Sequence, residues 1–154
     1  MGEHLHRGDF VVLQPANWRD FREIWALERA CFLEDAWPRM DVLAALTFPG
    51  TVRWKAVLDG QAVGFVIGDR QRWRDLGWIA SLGVHPDYRR RGIGRTLLDA
   101  CEQALATTRL RLTLRVSNLA AFELYEQAGY QEVTIWQGYY RNGEDGLVME
   151  KVLR

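Results

Sequence analysis

The part of the chain with the clearest chemical character is a turn rich in arginine and glycine, residues 89–95. Guanidinium groups pair well with phosphate oxygens, and glycine, which has no Cβ, lets a ligand come close to the backbone. The residue types therefore predict a phosphate or pyrophosphate site. The residues of this turn are Arg89, Arg90, Arg91, Gly92, Ile93, Gly94 and Arg95.

The flanking segments place this turn between a strand and a helix. Residues 78–84 are short, apolar and uncharged, which predicts a buried strand. From Ile93 onward apolar residues recur at helical spacing, so a helix begins near Gly92. Its first backbone N–H groups have no partner within the helix, and the helix dipole adds partial positive charge there. The sequence therefore predicts a pyrophosphate cradle at this helix start.

Two common nucleotide-binding patterns do not fit the turn. The dinucleotide fingerprint needs a third glycine where Leu97 stands, and the Walker pattern is absent. Two other interpretations stay open: a plain strand–helix turn with solvated arginines, and a basic nucleic-acid patch. The second is disfavoured because 20 basic and 20 acidic residues cancel and no aromatic residues interleave the run.

The totals indicate one globular domain spanning residues 1–154, with 48% apolar and 26% charged residues. The first nine residues, MGEHLHRGD, contain no apolar region of a signal peptide, and no apolar run is long enough to span a membrane. Cys31 and Cys101 both fall on apolar helix faces, so we expect buried free thiols. We therefore expect a cytoplasmic protein that binds neither membrane nor nucleic acid.

Periodicity predicts the element order β-α-α-β-β-β-α-β-α-β-β, a mixed sheet covered by helices. The first strand is expected at residues 10–13, and the first helix follows Asn17 with Trp18 on its apolar side. On this helix and just after it, Glu28 and Glu34 are expected to be solvated. The second helix begins at Pro38 and carries Val42, Leu43 and Leu46.

The remaining strands follow from turn signals and alternation. Asp59-Gly60 predicts a hairpin between residues 53–58 and 61–68, and the glycines at 64 and 68 indicate a bulge. Residues 70–75 form a charged loop. Residues 110–116 alternate cleanly, a helix follows from Ser117 or Asn118 to Gly129, and residues 130–137 and 146–153 are strands.

Several motifs together resemble one branch of the GNAT acetyltransferases. The pattern Arg89-x-x-Gly92-x-Gly94 resembles their acetyl-CoA signature. Residues 115–130, RVSNLAAFELYEQAGY, the run Gly138-Tyr139-Tyr140 with Glu144-Asp145 and Met149, and Cys31-Phe32 followed by Asp35-Ala36-Trp37 are similar to its other motifs. The branch is that of ribosomal-protein alanine N-acetyltransferases and related protein N-terminal acetyltransferases, and the resemblance runs from Cys31 onward.

The resemblance implies an α/β (α+β) fold of GNAT type: a mixed, mostly antiparallel seven-stranded sheet splayed at its centre, with about four helices. It implies acetyl-CoA as cosubstrate and no metal. The backbone of Leu82, Gly83 and Val84 would bind the pantetheine arm, Asn118 would bond the same arm, and the turn at residues 89–95 would hold the pyrophosphate.

The resemblance also implies a catalytic residue and an acceptor site. Tyr125 would protonate the leaving thiolate, whereas His85 is expected to cap or pack its loop. The acceptor would be a primary amine, in particular a protein N-terminal α-amine. The residues expected at the acceptor are Trp37, Thr113, Arg115, Tyr139 and Tyr140.

One departure from the branch concerns the general base. Thr113 stands where the ribosomal-protein enzymes carry a glutamate, and a hydroxyl cannot be that base near neutral pH. An α-amine has a pKa of about 7.7–8.0, so a water relay could suffice for it. A small-amine substrate and a non-catalytic acyl-CoA-binding module both stay open. Because Arg111 and Arg115 flank Thr113, an acceptor carrying a carboxylate is also conceivable.

Overall fold

The structure, a computed structural model, describes residues 10–153. The signal-peptide expectation concerns residues 1–9 and lies outside this described part. The predicted element order is confirmed, with seven strands and four α-helices over residues 10–153. Their bounds are β1 Val12–Pro15, α1 Phe21–Phe32, α2 Arg39–Thr47, β2 Thr51–Leu58, β3 Gln61–Gln71, β4 Leu76–Val84, α3 Ile93–Leu105, β5 Arg109–Arg115, α4 Leu119–Gln127, β6 Gln131–Trp136 and β7 Gly146–Val152.

The strands form one sheet in the order β1-β2-β3-β4-β5-β7-β6, and only the β4–β5 pair is parallel. That pair is short, because Leu76–Trp78 of β4 register with Arg109–Arg111 of β5 and the pairing then stops. On its other side β4 stays paired with β3 as far as Val84. The two central strands therefore diverge, and the expected splay is confirmed.

Helices cover both faces of the sheet. On one face α3 packs on β2, β3 and β4 through a stripe of fully buried residues. The spacing i, i+4, i+8 of Leu97, Cys101 and Leu105 places these side chains on one side of the helix. On the opposite face α1 packs on β3 and β4, and α2 packs on α1 and β2. Ile24, Leu46 and Phe65 belong to the buried cluster between these helices and the sheet. The core thus consists of two layers separated by the sheet.

Two expectations for the first helical segment are wrong. Trp18 lies in a 3-10 turn that precedes α1, and its side chain is exposed rather than packed. Asn17 does cap that turn, accepting a hydrogen bond from the Arg19 backbone N–H at 2.9 Å. Glu28, expected to be solvated, is only 1% exposed. It lies one turn after Ile24 and next to Leu27, so the helix geometry places it on the buried stripe.

The other differences are shifts of element ends. The first strand begins two residues later than predicted, and β3 extends through Gln71 into the segment expected to be a loop. Irregularities in strand pairing lie beside both Gly64 and Gly68, as the bulge prediction required. Cys31 and Cys101 are free thiols. Within residues 10–153 no helix is long and apolar enough to cross a membrane.

Gly68 lies where α3 packs tightly on the sheet, so that a larger residue at this position should destabilise the fold. A Cβ at this position would be 2.6 Å from Cys101 Sγ and 3.1 Å from Leu105 Cδ1. We expect Gly68→Ala to lower the free energy of unfolding by about 1–3 kcal/mol, the usual cost of overpacking. Urea denaturation measures this change. Adding Cys101→Ala removes the nearest atom and should recover part of the loss, whereas additive losses would contradict this explanation.

Candidate active site

The divergence of β4 and β5 opens a cleft of about 700 Å³. Its walls come from β4, from β5 with the start of α4, from the segment between α1 and α2, and from the loop between β6 and β7. Chain segments far apart in sequence therefore meet at one place. The sequence-predicted residues that line this cleft are Trp37, Leu82, Thr113, Arg115, Asn118, Tyr125, Tyr139 and Tyr140.

The strand β4 offers a free backbone edge in this cleft. Leu82, Gly83 and Val84 pair with β3, and no pairing of these residues with β5 is found in the described part of the chain. Backbone groups on such an edge need hydrogen-bond partners, which an extended amide-containing ligand can supply. Gly83 has a further role, because a Cβ there would lie 2.9 Å from Cys31 Sγ. Glycine thus allows α1 to pack against this edge.

The glycines of the turn differ in what they do. Gly92 caps α3 with a φ of +80°, a conformation that favours glycine, and a Cβ there would meet nothing within 4 Å. At Gly94 a Cβ would contact Leu124 Cδ2 at 3.4 Å and Val84 Cγ2 at 3.8 Å, which are ordinary distances. The turn conformation is therefore what requires Gly92. Ile93, the first residue of α3, is buried and anchors the helix start in the core.

The four arginines of the turn are not equivalent. Arg89 folds back, and its Nε donates to the Val84 carbonyl oxygen at 3.0 Å, so it braces the turn. Arg91 lies over the Tyr88 ring, and Arg95 forms an ion pair with Asp99 at 3.0 Å. Arg90, at a positive φ of 63°, is exposed. Arg89 and Arg95 therefore already have protein partners, whereas the Arg90 side chain is exposed, and the role of all four arginines as pyrophosphate ligands stays a prediction.

His85 belongs to the turn and not to the cleft. Its Nδ1 accepts a hydrogen bond from the Asp87 backbone N–H at 3.2 Å, and its ring packs edge-on against Tyr88. The expected capping role is observed.

The proposed acid, Tyr125, lines the cleft from α4. It is 8% exposed, and its ring contacts Tyr130 edge-on with 5.8 Å between centroids. Burial raises the pKa of the Tyr125 hydroxyl above its ordinary value, so the group stays protonated at neutral pH. Asn118 caps the same helix, its Oδ1 accepting from the Ala121 N–H at 3.1 Å. The Asn118 amide nitrogen is then the donor available to a ligand.

A buried carboxyl forms part of the opposite wall. Glu28 Oε1 accepts from the Trp37 backbone N–H at 3.1 Å, and Oε2 accepts from Ser81 Oγ at 3.0 Å. Glu28 thereby ties the segment after α1 to the splayed part of β4. Burial raises the pKa of this carboxyl, and the two hydrogen bonds oppose the rise. The sequence signal was available, since Glu28 follows Ile24 and Leu27 at helical spacing.

Arg115 is the centre of an ion-pair network and not a free cation. Its guanidinium donates to Asp35 at 2.7 Å and to Glu144 at 2.8 Å, and it lies 4.5 Å from the Tyr140 ring centroid. Hydrogen bonds from Ser117, and then from Arg115, lower the pKa of Glu144 to about 2. The network joins both loops that border the cleft to the end of β5.

Both guanidinium groups that could attract an acceptor carboxylate beside Thr113 already have carboxylate partners, which disfavours such an acceptor. Arg115 is already neutralised by Asp35 and Glu144, and Arg111 pairs with Glu150 of β7. The sequence placed both guanidinium groups correctly on one strand face. It could not show that carboxylates distant in sequence would occupy them.

Two tryptophans and two tyrosines form a continuous aromatic wall, of which the sequence motifs predicted the two tyrosines and not the two tryptophans. Trp78 stacks on Trp136 with 6.0 Å between ring centroids, and Trp136 lies 5.3 Å from Tyr139. Tyr139 in turn contacts Tyr140 edge-on at 5.0 Å. Gly146 makes room for this wall, because a Cβ there would lie 3.0 Å from Thr113 Cγ2 and 3.2 Å from Tyr139 Cβ.

Carboxyl groups outnumber guanidinium groups in the lining of the cleft. The lining holds four carboxyl groups, those of Glu28, Glu34, Asp35 and Asp69, and the two guanidinium groups of Arg115 and Arg141. The arginine-bearing turn, residues 89–95, is not among the lining residues and follows the end of β4. Among residues 10–153 no cluster of His, Cys, Asp and Glu could hold a metal ion. The lining of the cleft therefore favours a cationic group, and the turn favours an anionic one.

Glu28 generates a prediction about stability and pH. Its pKa is raised in the folded state, so the stability associated with its neutral form is lost as pH rises through that pKa. The glutamine in Glu28→Gln is neutral at every pH. This variant should therefore be at least as stable as the parent at pH 8 and no more stable than the parent at pH 4. Thermal denaturation across this range measures the difference. Glu28→Ala leaves the Trp37 N–H and Ser81 hydroxyl unpaired and should cost about 1–3 kcal/mol at both values. If Glu28→Gln and Glu28→Ala lost the same stability at both pH values, the raised pKa of Glu28 would be contradicted.

Comparison with known proteins agrees with this geometry. The Acetyltransferase (GNAT) family matches residues 16–130. An N-alpha-acetyltransferase of Saccharolobus solfataricus is 29% identical over 162 residues, covering 96% of each chain. The ribosomal protein bS18-alanine N-acetyltransferase of Salmonella typhimurium is 37% identical over 101 residues, covering 62% of this chain and 67% of that protein.

A solved structure shows the same similarity in three dimensions. The ribosomal-protein-S18-alanine N-acetyltransferase from Escherichia coli matches with a TM-score of 0.84 and 25% identity, covering 94% of each chain. The free edge of β4 and the arginine-bearing turn fit a long cofactor with a pyrophosphate group. The chain belongs to the GNAT acetyltransferase family and is an N-acetyltransferase that uses acetyl-CoA.

Proposed function

We propose that the acceptor is the α-amino group of a polypeptide. The observation that carries this proposal is the lining of the cleft, in which four carboxyl groups outnumber two guanidinium groups and lie beside a wall of aromatic rings. A protonated amine is attracted by both kinds of group. The names of two relatives, an N-alpha-acetyltransferase and a ribosomal-protein alanine N-acetyltransferase, support a polypeptide acceptor. The free thiols of Cys31 and Cys101 suit a reducing cytosol, where we place the reaction.

The choice of an α-amine also agrees with Thr113. Only a neutral amine attacks a thioester, and a threonine hydroxyl does not remove a proton near neutral pH. An α-amine has a pKa of about 7.7–8.0 and a lysine side chain about 10.4, so only the former is substantially neutral without a strong base. Water in the open cleft can take the remaining proton. Of these two kinds of amine, the α-amine is therefore the one that a site without a strong general base can acetylate more readily.

We assign the binding and proton-transfer roles as follows. Acetyl-CoA supplies the acetyl group as an activated thioester. The backbone of Leu82, Gly83 and Val84 holds and polarises that end of the cosubstrate, and the Asn118 amide donates to it. Tyr125, kept protonated by burial, gives its proton to the departing thiolate. Trp37, Thr113, Tyr139 and Tyr140 surround the amine, and Arg115 holds the loops that carry three of them.

A substrate panel tests the function itself. Release of thiol from acetyl-CoA should be fast with peptides bearing a free N-terminus and slow with free lysine side chains and small primary amines. The same peptides with a blocked N-terminus are the matched control and should give no turnover. Preference for a small amine over every peptide would contradict the proposal.

Tyr125→Phe tests the acid. We expect turnover to fall by about 10²–10⁴-fold with little change in acetyl-CoA affinity, because only the proton donor is lost. Because the pKa of Tyr125 is raised, the parent enzyme should gain activity up to about pH 8, as the amine deprotonates, and lose none by pH 9.5. Steady-state rates and calorimetry measure both quantities. A decline of the parent rate between pH 8 and 9.5 would exclude this assignment.

Thr113→Glu tests where the amine lies. A carboxylate on this position of β5 would face the cleft beside Tyr139, where it could accept the amine proton. We expect the rate with peptides below pH 7 to rise and the pH profile to move to lower pH. Thr113→Gln, of similar size but unable to act as a base, is the control. If both variants only lose activity, the amine does not bind beside Thr113.

A further inference from the structure

A second hollow, of about 550 Å³, adjoins the active-site cleft. It lies between the tip of the β3–β4 hairpin and the turn that connects α2 to β2. Asp69 and Gln71 line both the hollow and the cleft, so the two are continuous along the end of β3. A chain leaving the cleft on this side would enter the hollow.

The hairpin tip presents an unusual set of side chains. Trp73 is 100% exposed, although burying such a side chain would ordinarily stabilise a protein. Arg70 and Arg74 flank it, both are exposed, and neither forms a salt bridge with any residue in the range 10–153. Asp75, the nearest carboxylate along the chain after the tip, is held by the backbone and side chain of Thr108. Tryptophan and arginine are the residue types that contribute most to protein binding surfaces.

The distances fit an extended peptide. Asp69 lies opposite Trp78, the last β4 residue paired with β5 before the cleft opens. With about 4.8 Å between strands, Asp69 is about 5 Å from Trp78 on β4 and roughly 10 Å from Arg111 on β5. At about 3.3 Å per residue, Trp73 lies at most about 13 Å farther along β3 and its turn. An extended peptide advances about 3.3–3.6 Å per residue. Residues roughly four to eight of a peptide acceptor would therefore reach this hollow.

We propose, building on the function proposed above, that the hairpin hollow binds the acceptor polypeptide downstream of its amino terminus. The preferred acceptor carries acidic side chains there, opposite Arg70 and Arg74, and an aromatic or large apolar side chain that packs on Trp73. The acceptor segment should be acidic because the lining of the hollow is basic, with two guanidinium groups and the single carboxylate of Asp69. The enzyme thus selects acceptors by a segment that takes no part in the chemistry.

The test compares three peptides with the same first three residues. The first has only four residues, the second has twelve with serine and glycine after the third, and the third has twelve with glutamates and a phenylalanine at positions five to eight. The measured quantity is kcat/KM for each twelve-residue peptide divided by that of the four-residue peptide. We expect the acidic peptide to give a ratio of about 10 or more and the neutral peptide a ratio near 1.

Trp73→Ala should reduce the ratio for the acidic peptide toward 1, and the pair Arg70→Glu with Arg74→Glu should reverse the preference toward a lysine-containing peptide. Trp18→Ala and Arg22→Glu are the matched controls, since both residues are exposed and lie outside either hollow. They should leave the ratio unchanged. The melting temperature of each variant checks that it folds. Trp73→Ala should not change the melting temperature, because Trp73 is fully exposed.

The outcomes separate the two proposals. If the four-residue peptide is acetylated and the acidic peptide gains nothing over it, the hollow does not bind acceptors, whereas the function stands. The same conclusion follows if Trp73→Ala and Trp18→Ala change the ratio equally. If no peptide is acetylated while a small amine is, the proposed function fails and this inference fails with it. Direct binding of the labelled acidic peptide, reduced by Trp73→Ala, gives a readout independent of turnover.

Discussion

The structure depends on the short pairing between β4 and β5. Three residues of each strand register, and beyond Trp78 the strands separate because β4 continues with β3. A buried sheet normally satisfies both edges of every inner strand, so the divergence leaves backbone groups that a ligand or water can pair. The turn where we propose that the pyrophosphate binds follows the end of β4, and the helix that carries Tyr125 follows the end of β5. One interruption of the sheet therefore places both halves of the active site.

The part of the cleft where we propose that the acceptor binds is formed by two loops, one between α1 and α2 and one between β6 and β7. Contacts with other elements hold these loops in place. Arg115, at the end of β5, binds Asp35 before α2 and Glu144 before β7. Glu28 fixes the segment after α1 a second time, through the Trp37 backbone and Ser81. These contacts lie at the border of the cleft and fix the loops that form it. If the acceptor binds where we propose, its position depends on ion pairs and hydrogen bonds, whereas the proposed cofactor site is formed by regular strands and helices.

Local patterns predicted most of the fold, because helical stripes and strand alternation are properties of neighbouring residues. The apolar spacing of α3, the alternation of β5 and the Asp59-Gly60 hairpin all carried enough information. Contacts between side chains on different elements could not be predicted from such local patterns. That Glu28 meets Ser81, or that Arg115 meets Asp35, depends on elements 53 and 80 residues apart. The two tryptophans of the aromatic wall escaped prediction for the same reason, since Trp78 and Trp136 come from different strands.

The charges around the cleft would also affect how the products leave. Acetylation converts an ammonium into a neutral amide, so the carboxyl groups of the lining would no longer attract the acceptor. If the turn binds the pyrophosphate as we propose, coenzyme A keeps its phosphates and stays attracted to the arginines. The acetylated chain should therefore leave first and coenzyme A last, and free coenzyme A should compete with acetyl-CoA for the enzyme. In a chain of zero net charge, the local distribution of charge would thus set the order of product release.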